Sequence, residues 1–186
     1  AISIHAYAYV SDQYALLPSG ASMGDGYGPM LVAKEHYSKE ETAGKKIAVP
    51  GEMTSAFLAL QLWLGRPKTE LDYVVVPFDE IFATVKAGQA DVGLIIHEGQ
   101  LTFENEGLVC CMNLGVWWGE ENDGLPLPLG GNVIHKRIAE AELGRAFFAQ
   151  EGDWKCPVCG DDVRSYKPVC WKQECSGKRP AGHPVG

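Results

Sequence analysis

Between Lys45 and Ile96 the chain alternates apolar runs with amphipathic segments, and that alternation sharply limits the folds open to it. Lys45-Lys-Ile-Ala-Val49 reads as a strand, ended by Pro50-Gly51. Thr54 to Leu64 reads as a helix, with Phe57, Leu58, Leu60, Leu62 and Leu64 as its apolar residues. Tyr73 to Val76 is a second strand. Asp79 to Ala87 is a second helix, with Asp79 at its start and Ile81, Phe82 and Val85 on one face. Ala90 to Ile96 is a third strand. Strand, helix, strand, helix, strand implies an α/β fold on a parallel sheet with right-handed crossovers.

The third strand ends abruptly in His97-Glu98-Gly99. Its apolar run, Val92 to Ile96, reads as a strand buried on both faces. Ligands of open α/β sheets bind beyond the carboxyl ends of such strands. His97 falls at that place and carries the side chain that is both acid and base near neutral pH. As a neutral imidazole it could remove a proton alpha to a carbonyl. The alternative is a histidine that caps the sheet and hydrogen-bonds a loop. Glu98 points the other way if the strand continues, so it need not orient His97.

Pro50-Gly-Glu-Met-Thr54-Ser55-Ala56 joins the first strand to its helix. Free N–H groups at a helix start bind anions, and the Thr54 and Ser55 hydroxyls add donors. The same residues also make an ordinary helix cap. Gly20 to Pro29 holds four glycines without a phosphate-loop pattern, and reads as a mobile loop between lobes. Ser38 to Gly44 is polar, and Met30 to Lys34 is a short apolar run. Leu108 to Leu114 is apolar, and Trp117-Trp118 is a stacking platform or a packing pair. Gly124-Leu-Pro-Leu-Pro-Leu-Gly-Gly131 reads as a stiff, extended linker. Asn132 to His135 is a further strand, and Ala139 to Gln150 a helix.

The net charge of −8 argues against a nucleic-acid or anionic-membrane partner. At 186 residues and 46% apolar content the chain can bury a proper core, and its apolar runs are too short to span a bilayer. No basic segment followed by an apolar one opens it, and Ala1 to Tyr9 already reads like the inside of a domain. The chain is therefore expected to begin partway into a longer protein. Of six cysteines, Cys110 and Cys111 lie in an apolar stretch and read as small buried hydrophobes. This distribution does not resemble a secreted disulfide framework, which favours the cytoplasm.

Composition shifts at Glu151, where apolar periodicity stops. In the tail, Cys156-Pro-Val-Cys159 has zinc-knuckle spacing, and Cys170 and Cys175 could complete a tetrahedral structural zinc site. The wider second pair leaves another reading open: a shifted reading frame could generate this tail.

Several separated motifs agree with a known family. They are Ser3 with Ala6-Tyr-Ala8, Gly28-Pro29, Val49-Pro-Gly51 with Thr54-Ser-Ala56, and Phe78-Asp-Glu-Ile81. Gly93-Leu-Ile-Ile-His-Glu-Gly99 with Thr102-Phe103, Leu114-Gly115 with Trp117-Trp118, and Gly124-Leu-Pro-Leu-Pro-Leu-Gly130 follow in order. Over residues 1–150 the chain resembles the 1,4-dihydroxy-6-naphthoate synthases of the futalosine route to menaquinone. The His-Glu-Gly segment and the Trp-Trp and Leu-Pro-Leu-Pro-Leu-Gly blocks favour that family over the related chorismate dehydratases.

The resemblance implies a two-lobed fold like that of periplasmic binding proteins (type 2), one lobe nearly complete and the other partial. Residues 1–30 would be the partial first lobe and crossover, and 31–135 the second α/β lobe. Residues 136–150 would be a returning helix and 151–186 the cysteine-rich tail. It implies a lyase converting cyclic dehypoxanthinyl futalosine to 1,4-dihydroxy-6-naphthoate, with a small-molecule substrate and no metal or organic cofactor. His97 maps to the family's proposed base, and Ser3, Thr54, Ser55 and Ala56 to its substrate contacts. A non-catalytic binding protein of the same fold, or an interaction module built on the tail, are the other readings. The chain departs from the family where Ala1 stands in place of a lysine region, before Ser3, and after Gln150.

Overall fold

Apolar residues on short central strands alternate between two cores, one on each face of a five-stranded sheet. The computed structural model describes residues 1–96, 98–138, 154–155 and 162–163. The chain divides into two compact units, Ala1–Val133 and Ile134–Gly186. The first begins with β1 (Ile2–Ser3), α1 (Ile4–Tyr7), β2 (Tyr14–Leu16), β3 (Ser22–Gly24), β4 (Met30–Ala33) and α2 (Lys39–Thr42). It continues through β5 (Ile47–Val49), α3 (Ser55–Leu64), β6 (Tyr73–Val75), α4 (Ile81–Lys86) and β7 (Val92–Ile95). β8 (Val109–Asn113), α5 (Leu114–Glu121) and β9 (Leu127–Gly131) complete it.

The large sheet has the order β6-β5-β7-β4-β8. Leu31, Ala33, Ile47, Val49, Val92 and Leu94 face α3 and α5, where Phe57, Leu60, Trp63 and Leu114 meet them. Val32, Ala48 and Ile95 face the opposite way, onto Ile81 and Val85 of α4. Such period-two alternation with both faces covered is the signature of an α/β sheet. Gly93 brings α4 close, because a Cβ there would lie 2.6 Å from the Ile81 side chain.

β5 pairs parallel with β6 and with β7, as the element order implies. β4 departs from an all-parallel sheet: it runs antiparallel to both β7 and β8. No single strand–helix–strand unit joins β4 to either neighbour, so no crossover imposes a direction on it. Hydrophobic pattern alone does not carry strand direction.

α3 carries the clearest local code. Thr54 Oγ1 caps the Phe57 N–H at 3.1 Å. Gly65, at φ 67°, ends the helix in the left-handed conformation that glycine tolerates. α4 is shorter than expected: a 3-10 turn, Phe78–Glu80, precedes it, and no side chain caps it. The polar stretch Ser38 to Gly44 forms α2, opened by a reciprocal capping box between Ser38 and Glu41.

The expected linker at Gly124–Gly131 is corrected. β9 is the central strand of a three-stranded antiparallel sheet, between β1 and β3. Pro128 lacks an N–H, and it is accommodated by a register shift opposite, between Ser22 and Met23.

In the second unit, Lys136–Ile138 is a helical turn, and Trp154–Lys155 pairs antiparallel with Asp162–Val163. Among the described residues no helix is long and apolar enough to cross a membrane. His97, the expected helix Ala139–Gln150 and the tail cysteines Cys156, Cys159, Cys170 and Cys175 lie outside the described residues.

Candidate active site

The carboxyl ends of β5 and β7 lead into the margin of a cleft of about 480 Å³ within the first unit. β5 runs through Pro50–Thr54 into the head of α3, which contributes Thr54, Ser55 and Ala56 to the lining. β7 runs into Ile96, which also lines it. β1 contributes Ile2 and Ser3, the glycine loop Tyr27, Gly28 and Pro29, and β9 Leu129 and Gly130. The four expected contact residues Ser3, Thr54, Ser55 and Ala56 thus share one cavity. His97 lies outside the described residues, and its sequence neighbour Ile96 is on the same wall.

The serine hydroxyls hold elements together at this wall. Ser55 is buried, and its Oγ donates to the Leu129 carbonyl at 2.6 Å. It accepts the Ile4 N–H at 3.1 Å and the His5 N–H at 3.5 Å. Ser3 Oγ donates to the Met53 carbonyl and accepts the Ala6 N–H. Two serines therefore satisfy the first-turn N–H groups of α1, which would otherwise lack partners. Thr54 Oγ1 donates to the Gly51 carbonyl at 2.8 Å while it caps α3. The three hydroxyl protons are already used within the protein. Among the described residues, the donors that remain at the head of α3 are the backbone N–H groups of Ser55 and Ala56, at the positive end of a ten-residue helix. Such a group suits a carboxylate, or an oxygen gaining negative charge.

Glu52, two residues before this head, accepts from Lys68 Nζ at 2.6 Å and from Tyr73 OH at 2.7 Å. The Lys68 hydrogen bond, then that of Tyr73, holds its carboxyl below the usual value. The same contacts raise Lys68 and Tyr73. This cluster fixes the loop that enters α3 and does not line the cleft.

Gln100 and Tyr27 also line the cavity and were not singled out from sequence. The signal for Gln100 was present, since it follows His97 by three residues in the same motif segment. Trp117 and Trp118 are on α5, at 72° to each other with centroids 6.3 Å apart. Both pack against the α3 core rather than the cleft, so packing is their role. Among the described residues no group of three or more His, Cys, Asp or Glu gathers as metal ligands.

Residues 1–149 match a family described as menaquinone biosynthesis. The 1,4-dihydroxy-6-naphthoate synthase of Streptomyces coelicolor is 36% identical over 169 residues, covering 90% of this chain and 58% of that one. The chain spans about half the length of the curated relatives it matches. A solved structure from Archaeoglobus fulgidus is 45% identical, with a TM-score of 0.66 over 77% of this chain and 53% of that one. An alkanesulfonate-binding protein of Xanthomonas axonopodis, solved with MOPS, is 17% identical. Its TM-score is 0.56 over 73% of this chain and 46% of that one, which shows the fold alone. The α/β fold is that of the periplasmic-binding-protein group.

Proposed function

The chain belongs to the menaquinone biosynthesis family, and from that premise we propose that it works as a 1,4-dihydroxy-6-naphthoate synthase. The reaction is cleavage of cyclic dehypoxanthinyl futalosine, a small-molecule substrate, in the cytoplasm. One observation carries the reading. Ser3, the head of α3 and Ile96, the neighbour of His97, come from distant parts of the chain and line one cleft. The Streptomyces relative bears the same activity in its name.

In this reading neutral His97 removes a proton alpha to a substrate carbonyl. The electron pair moves to the carbonyl oxygen. The Ser55 and Ala56 N–H groups stabilise the resulting negative charge, as preorganised backbone donors do in other enzymes. The returning pair breaks the bond to the sugar-derived fragment, which leaves with the proton that His97 took up. Ser3 and Thr54 complete the substrate contacts. The resemblance implies no metal or organic cofactor for this step. A structural zinc on Cys156, Cys159, Cys170 and Cys175 is a separate proposal, tested by metal analysis of the purified protein.

The test is incubation of the full-length protein with cyclic dehypoxanthinyl futalosine and, separately, with chorismate. The reading expects 1,4-dihydroxy-6-naphthoate from the first and no dehydration of the second. Turnover of chorismate would move the protein to the related dehydratases. Binding without any product would make it a ligand-binding protein.

A further inference from the structure

Gln100 lines the cleft, and none of the roles above uses it. It lies in the 3-10 turn Glu98–Leu101 that follows β7. Its Nε2 donates to the Gly28 carbonyl at 2.7 Å and, more weakly, to the Ile95 carbonyl at 3.4 Å. Both partners can only accept, so the amide nitrogen faces them and Oε1 is turned away from both.

The two carbonyls mark a particular place. Ile95 is the last residue of β7, and it pairs with Met30 at the start of β4. Gly28 lies just before β4, in the loop that lines the cleft. One side chain therefore closes the open end of the β4–β7 ladder at the cleft rim. Gly28 is also a fixed anchor. A Cβ there would lie 2.7 Å from the Gly115 backbone, so the loop is wedged against the head of α5.

We propose that Gln100 is a positioning residue. Its amide ties the turn immediately following His97 to the Gly28 anchor. The catalytic part of this proposal rests on the function proposed above. The tie itself does not. A glutamine that only filled space could be replaced by methionine at little cost, because the shapes are similar. A glutamine that sets the wall cannot, since small displacements at a reacting centre cost about 100-fold in rate.

The experiment has two arms on the full-length protein. Without substrate, the Gln100 side-chain amide protons in 15N-labelled protein should exchange slowly, and Gln100→Met should shift the Gly28 and Ile96 amide resonances. Free-glutamine exchange, or unmoved resonances, would overturn the tie whatever the enzyme does. With substrate, Gln100→Met should lower kcat about 10- to 100-fold while KM changes by less than about threefold. In Gln100→Glu a carboxylate faces two carbonyl oxygens. Only its protonated form restores a donor, so activity relative to wild type should rise as pH falls. A Gln100→Met kcat within about twofold of wild type, or a flat Gln100→Glu ratio, would overturn the positioning role. Wild-type protein that turns over nothing, with the Gln100 amide still protected, would sink the functional reading and leave the tie standing.

Discussion

Ser55 Oγ donates to the Leu129 carbonyl at 2.6 Å, joining the head of α3 to the middle of β9 across 74 residues of chain. The register shift between β3 and β9 explains why this carbonyl needs a partner. Ser22 lies opposite Gly130 and Met23 opposite Pro128, so Leu129 is passed over in that pairing. The same oxygen of Ser55 accepts two N–H groups of α1. One buried hydroxyl thus unites two elements that line the cleft, α3 and β9, with α1 behind them.

Ser55→Ala leaves the Leu129 carbonyl and the α1 amides without this partner. The expected loss is about 1–3 kcal/mol, the usual cost of unmade buried hydrogen bonds. Chemical denaturation of the variant measures it. An unchanged midpoint would show that the hydroxyl is not structural.

Glu52 predicts an acid dependence. Its folded pKa lies below the ordinary 4.5, because Lys68 and Tyr73 donate to the ionised form. Such a group contributes stability above its unfolded pKa, and that contribution is lost as pH falls through the lowered folded value. The ion pair is substantially exposed, so the effect is small. Glu52→Gln should therefore lower stability slightly near neutral pH, with the difference from wild type shrinking below pH 4.5. Unfolding midpoints across that range check it, and a difference that grew in acid would contradict it.

Cys110 and Cys111 are free thiols whose pKa values lie above the usual 9.0, chiefly through burial. A thiol is a poor nucleophile until it ionises. Peptide mapping after alkylation near neutral pH should find both largely unmodified in native protein and both labelled in denaturant. Rapid native labelling would contradict the shielding of the half-buried Cys110 and the buried Cys111.

Much of this was legible in the sequence, for identifiable reasons. The Ile47–Val49, α3, Tyr73–Val75 and Val92–Ile95 elements follow from apolar runs, a Thr54 cap and a Gly65 stop, all local signals. Placing Thr54 and Ser55 at a helix start brought them to the cleft, because β5 ends there. The role of β9 was hidden. Two prolines in Gly124–Gly131 suggested a linker, and only the long-range pairing with β1 and β3 makes it a central strand. The direction of β4 was hidden for the same reason. Likewise, sequence offers the hydroxyls of Thr54 and Ser55 as ligand donors. It cannot show that the Gly51 and Leu129 carbonyls already take those protons.

The central claim is that His97 works as a base at this cleft. The most direct measurement is turnover of cyclic dehypoxanthinyl futalosine by the full-length protein and by its His97→Asn variant, with folding checked by circular dichroism. The account predicts 1,4-dihydroxy-6-naphthoate from wild type and a loss of about 100- to 10,000-fold in kcat for a folded variant. A folded His97→Asn protein that turns over at the wild-type rate would contradict it.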